Sequence, residues 1–236
     1  MVFVVLILII LAVGAYFAAS TFGLLPPPDM GVTYTEADYQ SAMKKIGTEI
    51  TFDGKSGAAL RTYTQELKKS GTKLNYKDYN WQHSDFQEKT FELTSAEATA
   101  LVNEIAPAFY WFENQQIKAG TDGQVQASGT LLLGKAIDEL YPSLKSQVPF
   151  PILPKVNLSA AGGISIRENK LSLSAREFKT GPIPGITPQM LNENASYAES
   201  LYKSVPGLII HKLDVTSAGK IAVSALIPQK TVVTKK

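Results

Sequence analysis

There is no cysteine anywhere in the chain. Disulfides, thiolate metal sites, thiol catalysis and a lipidated N-terminal cysteine are excluded together. At 236 residues the chain needs no cross-link to hold a core, because a domain of roughly 200 residues buries enough apolar surface by itself. Histidine is nearly as scarce, with His83 and His211 alone, and metal sites and acid–base catalysis lean on that residue. A charge bias is missing as well. Lys plus Arg number 23 against 21 Asp plus Glu, a formal net charge of +2. That balance, with no long basic run, argues against nucleic acid as a partner. Neither H-E-x-x-H, nor G-x-S-x-G, nor a clustered acidic metal loop occurs. No catalytic, cofactor-binding or metal-ligating residue is therefore assigned, and the expectation is a protein that is not an enzyme and carries no cofactor. Paired-carboxylate hydrolysis stays open, because pairs made in space leave no mark in sequence.

What the chain does have comes first at its N-terminus. "MVFVVLILIILAVGAYFAASTFGLL" carries no charged side chain. About 20 apolar residues cross the hydrocarbon core of a bilayer, so residues 1–25 read as a transmembrane anchor. A cleaved signal peptide is the rival, but its apolar region is usually about 7–15 residues long and follows a basic start. Here the apolar run is longer and nothing basic precedes it. Lysine and arginine hardly vote on orientation. The bulk of the chain follows a short N-terminus, which suits a single-pass cell-membrane protein with its C-terminal domain outside the cytoplasm. Residues 26–31, "PPPDMG", read as a stiff proline-rich spacer. Residues 32–236 read as one extracytoplasmic domain.

Within that domain helices come early. Thr35 with Asp38, and Thr94 with Glu97, have the spacing of capping boxes. They predict helices ending at Gly47 and Pro107. A third helix is predicted from Ser56 to Ser70, with Leu60, Tyr63 and Leu67 on one face and Gly71 as its stop. Thr48 to Phe52 alternates and predicts a short strand. Three hairpins follow, turning at Gly120 to Gly123, at Arg167 to Lys170 and near Ser217 to Gly219, the third spanning Leu208 to Pro228. In the first, Val125, Ala127, Gly129 and Leu131 are expected inside, with Gln126, Ser128 and Thr130 in water. Ile137, Leu140, Tyr141 and Leu144 have helical spacing. In "KTGPIPGITPQM", Thr187 and Pro188 predict another helix start. Strands paired through hairpins give an α+β domain of antiparallel hairpins with interspersed helices.

Four segments raise chemical questions. "GTLLLGKA" (Gly129 to Ala136) nearly matches a phosphate-binding loop, but Ala136 replaces the Mg²⁺-binding hydroxyl and the leucines belong in a core. A strand end running into a helix is the expectation there. In "YNWQHSDF", His83 and Asp85 alternate, and a carboxylate so placed can orient an imidazole. His211 alternates with Ile209, Leu213 and Val215 on a strand. "FYWF" is the remaining case. Phe109, Tyr110, Trp111 and Phe112 either pack in the core or present rings to lipid headgroups, glycan or an apolar ligand. Val148, Phe150, Ile152 and Leu153 in "VPFPILP" pose the same choice, since spaced prolines bar that segment from a central strand.

"FELTSAEATALVNE", "DGQVQASGTLLL" and "ISIRENKLSLSAREFKTGPIPG", in this order, resemble the YpmS-like bacterial proteins. The resemblance covers Phe91 to about Pro184 and leaves Tyr34 to Leu93 unplaced. It implies a single-pass extracytoplasmic protein and, through a remote likeness to tubular lipid-binding folds, an apolar ligand. It supplies no catalytic residue. The functional expectation is a membrane-anchored, non-enzymatic protein binding a lipid-like ligand or a cell-envelope component. The alternatives are an assembly partner of another envelope protein and, third, an envelope hydrolase built on carboxylates or His83.

Overall fold

The computed structural model describes residues 27–105, 108–140, 155–180, 189, 199 and 202–236. The apolar run 1–25, the segment holding Val148, Phe150, Ile152 and Leu153, the Tyr141 and Leu144 positions, and Thr187 with Pro188 lie outside them. Among the described residues no helix is long and apolar enough to cross a membrane.

Helix boundaries follow local chemistry. Helix α1 (Glu36–Ile46) opens on Thr35, whose hydroxyl accepts the Asp38 N–H at 3.3 Å while Asp38 accepts the Thr35 N–H at 2.8 Å. Its end is Gly47, in the left-handed region that glycine enters without penalty. Helix α2 (Gly57–Ser70) stops on Gly71 in the same way. Helix α3 (Ser95–Glu104) has the Thr94–Glu97 box, and α4 (Leu133–Leu140) follows the first hairpin. Leu131, Leu132 and Leu133 are buried where the near-match to a phosphate loop stood, and Lys135 bonds Glu139 and the Leu74 carbonyl. That stretch is a strand end entering a helix.

Among the described residues nine strands form one mixed sheet: β1 (Glu49–Phe52), β2 (Lys55–Ser56), β3 (Tyr79–Leu93), β4 (Phe112–Ala119), β5 (Val125–Leu131), β6 (Val156–Arg167), β7 (Lys170–Thr180), β8 (Ile209–Val215) and β9 (Ile221–Lys235). The order is β2-β1-β9-β8-β6-β5-β4, with β3 added to β9 and β7 to β6. The hairpins β4–β5, β6–β7 and β8–β9 are antiparallel, and the class is α+β.

Sequence reasoning is corrected at four places. Strand β1 runs parallel to the far end of β9, Glu49 opposite Lys230, so the sheet is not wholly antiparallel. Strand β9 does not stop at Pro228. It continues to Lys235 because Pro228 falls between the residues paired with β8, ending at Leu226, and those paired with β1, starting at Lys230. No ladder on that side calls for the missing N–H. In β5, Ser128 and Thr130 are buried along with the apolar face. In β8 the alternation breaks at a bulge between Ile210 and Lys212. Ile210 and Leu213 are both buried while Ile209 is exposed, which an unbroken period of two forbids. The Asn169 side chain accepts the Ile210 N–H at 2.6 Å and fixes that bulge.

Helix α3 is the centre of the helical side. Every residue from Glu97 to Glu104 is buried, and α1 and β4 pack against it.

Candidate functional site

Among the described residues strand β4 pairs with β5 on one side, and α3 packs along the other. Ser95, Thr99 and Asn103 lie four residues apart on one face of α3. Ser95 Oγ accepts the Ala119 N–H at 3.0 Å, Thr99 Oγ1 accepts the Ile117 N–H at 3.0 Å, and Asn103 Oδ1 accepts the Gln115 N–H at 3.1 Å. Asn103 Nδ2 returns a bond to the Gln115 carbonyl at 2.7 Å. The match is geometric. Four helical residues rise about 6.0 Å and two strand residues about 6.7 Å, so each turn of α3 meets every second amide of β4.

The strand then breaks its own pattern. Between Glu113 and Gln116 the register against β5 shifts by one residue, and Asn114 takes φ of +52°, a conformation asparagine tolerates well. Gly129 faces the bulge, and a Cβ there would meet Gln115 Cγ and the Glu113 carbonyl at 3.3 Å. Gln115 is 2% exposed. Its Nε2 donates to the Val102 carbonyl at 3.2 Å, and its Oε1 has no hydrogen-bond partner.

Charge gathers around this bulge. Glu113 takes Lys73 at 2.9 Å on one carboxylate oxygen and Lys155 at 2.8 Å on the other. Glu104 takes Lys68 at 2.5 Å and the Tyr34 hydroxyl at 2.7 Å on Oε1, and Arg61 at 2.6 Å on Oε2. Arg61 also reaches Glu36 at 2.5 Å. Burial raises the Glu104 carboxyl, but bonds from Lys68, Tyr34 and Arg61 outweigh it and hold the group below its ordinary range. Glu113 is held down in the same way, burial being overcome by Lys155 and Lys73. Both acids are thus anions with each oxygen occupied.

The segment leading into α1 adds a further wall. The Met30 N–H donates to Gln116 Oε1 at 2.7 Å, so the end of the 26–31 segment is docked on β4. Val32, Thr33 and Tyr34 form one wall of a cleft of about 540 Å³. Thr99, Val102 and Asn103 form a second wall, the Phe112 to Gln116 bulge a third, and Lys68 and Lys73 stand beside them. That volume lies within the usual range for small-ligand sites, about 300–1,000 Å³.

The residues singled out from sequence fall elsewhere. Phe109, Tyr110 and Phe112 are buried, which corrects the surface reading of "FYWF" in favour of core packing. Phe109 is a hub, with ring centroids 5.1 Å from Tyr79 and Trp81 and 5.4 Å from Phe52. Trp111 is half-buried, donates its indole N–H to Glu139 at 2.8 Å and meets Tyr76 edge-on. The Tyr110 hydroxyl is buried without a partner, and burial pushes its pKa far up. Only about 20 Å³ of apolar space remains beside Phe109 and Tyr110. Val148, Phe150, Ile152 and Leu153 are not described. His83, Asp85 and Glu88 do not come together: His83 bonds Thr231 at 3.1 Å, Asp85 accepts from Ser84, and Glu88 meets His211 at 3.0 Å. The cleft-lining residues were not singled out from sequence, because they come from four separated segments. Among the described residues no group of His, Asp and Glu is arranged to hold a metal ion. Comparison with known protein families, curated proteins and solved structures finds no match.

Proposed function

We propose that this chain is a membrane-anchored, extracytoplasmic binding protein that seats a polar cell-envelope component in the cleft between α3, the β4 bulge and Val32 to Tyr34, and catalyses no reaction. Residues 1–25 support the anchor by length and lack of charge. The observation that carries the binding role is the cleft of about 540 Å³ itself, where Lys68 and Lys73 stand beside Thr33, Asn114 and Gln116. Of the two ligand chemistries expected from sequence, the polar one is preferred, since two lysines line this cleft and the apolar space beside Phe109 and Tyr110 is about 20 Å³.

The test has two arms. Alkaline extraction of membranes is expected to leave the intact chain in the pellet, and release or N-terminal cleavage overturns the anchor. A photoreactive amino acid replacing Thr33, an exposed residue of the cleft lining, is expected to capture non-protein envelope material in cells. Capture of one dominant protein instead supports the assembly reading, and no adduct at all removes the cleft as a binding site.

A further inference from the structure

The chain between the apolar run and α1 is laid down on the sheet rather than held away from it. Pro28, Asp29 and Met30 line a hollow of about 300 Å³ together with Lys118, Gln126 and Glu177. Lys118, Gln126, Ala161 and Glu177 are cross-strand neighbours in β4, β5, β6 and β7, and such neighbours share a face of the sheet. Lys118, Gln126 and Glu177 are exposed. Two bonds fix the chain there. The Met30 N–H donates to Gln116 Oε1 at 2.7 Å, and Lys118 Nζ donates to the Met30 carbonyl at 3.4 Å. Asp29 Oδ1 accepts the Gly31 N–H at 2.8 Å and turns the chain toward α1. Only Pro26 and Pro27 lie between Pro28 and Leu25, the end of the apolar run. At about 3.3–3.6 Å per residue, Pro28 sits within roughly 11 Å of Leu25.

Resting on the reading of residues 1–25 as a membrane anchor, we infer that the domain rides directly on the bilayer, with the row Lys118, Gln126 and Glu177 against the phospholipid headgroups. The headgroup layer on each side of the hydrocarbon is about 5–8 Å deep. A strap that ends at Pro28 therefore leaves the hollow at that layer or just above it. Tether length sets this apposition, and charge does not. The hollow holds Lys118 against Asp29 and Glu177, so it has no positive surplus to draw it to anionic lipid. The cleft is carried down with the strap. Val32, its first wall residue, follows Met30 by two positions and lies within about 25 Å of Leu25, so a ligand of the cleft is met close to the membrane surface.

The absence of cysteine lets one introduced thiol carry one fluorophore. Gln126→Cys places it in the row, and Lys55→Cys places it on β2, at the other end of the strand order. Both positions are exposed, and Glu177→Cys reports on the same row should Gln126→Cys fail to fold. The full chain is reconstituted in phosphatidylcholine vesicles containing a lipid with a nitroxide on its headgroup, which quenches only at close range. Quenching at residue 126 is expected to exceed that at residue 55 at least threefold and to be unchanged by added salt. A flexible Gly/Ser insert of about 12 residues between Pro27 and Pro28 adds ~19 Å of reach and is expected to cut quenching at residue 126 by at least half. Equal quenching at the two positions, or none at either, overturns the apposition, and a chain still retained after alkaline extraction keeps the anchor reading intact. Quenching that survives the insert, or is lost in salt, overturns the short tether as its cause. Release of the chain by alkali removes the anchor and this inference together.

Discussion

Thr99→Val separates a hydrogen bond from the shape of the side chain that makes it. Valine and threonine have nearly the same volume, so the change opens no cavity in α3. It deletes the hydroxyl that accepts the Ile117 N–H at 3.0 Å and reaches the Ile117 carbonyl at 3.3 Å. Ile117 is 0% exposed and Thr99 1%, so water cannot take the hydroxyl's place. An orphaned buried donor costs about 1–3 kcal/mol, and the added apolar group returns at most about 0.8 kcal/mol. The expected net loss is centred near about 1 kcal/mol. For a domain of this size that lowers the melting temperature by about 2–4 °C. Hydrogen exchange is the sharper assay: the Ile117 amide is expected to lose protection while amides elsewhere in β4 change less. Thr99→Ser loses the methyl and some stability but keeps Ile117 protected. If Thr99→Val costs less than about 0.5 kcal/mol and Ile117 exchanges as before, the account of how α3 holds the edge of β4 is wrong.

Three further outcomes follow from the charges and backbone described above. Glu104→Gln is expected to destabilise by about 2 kcal/mol, less than the about 3–5 kcal/mol for a fully buried pair because Glu36 stays with Arg61. The folded Glu104 pKa is depressed. Its contribution is therefore present above the ordinary carboxylate range and lost as pH falls through the folded value, so denaturation curves of the two proteins should converge in acid. The two histidines should titrate on opposite sides of about 6.5 by NMR. His211 is raised by its bond to Glu88 and by Glu168, while burial lowers His83. The His211 contribution is full below the unfolded value and fades as pH rises through the folded one. His211 titrating below His83 contradicts the observed pairing. Gly207→Ala is expected to cost about 1–2 kcal/mol, read from urea midpoints, because φ is +81° and the new Cβ lands 2.7 Å from the Phe86 ring.

Local signals in the sequence located most elements. The capping boxes at Thr35 and Thr94, the glycine stops at Gly47 and Gly71, and the three hairpin turns all depend on residues within about four positions of one another. The misses are long-range or compensated. Nothing near Glu49 announces that it pairs with Lys230, and Pro228 looks like an end because its tolerance depends on where β8 stops and β1 begins. The bulge in β8 is set by Asn169, on another hairpin. The cleft is of the same kind, since its walls come from residues near 32, 68, 99 and 114.

One feature of the site was nonetheless readable. Helix α3 has an apolar stripe through Ala98, Leu101 and Val102, which leaves the face carrying Ser95, Thr99 and Asn103 to be explained. A helix face turned to water gains from long charged side chains, which lose little entropy there and bridge at i, i+4. Ser, Thr and Asn are poor choices for such a face because they compete for backbone hydrogen bonds. Placed every fourth residue with no charge among them, they are suited to a backbone that cannot pair with itself, here the β4 edge. Sealing that edge lets β4 bulge at Asn114 without fraying, and the bulge puts Gln115 at the wall of the cleft. The uncharged polar stripe thus links the sequence of α3 to the position of the cleft.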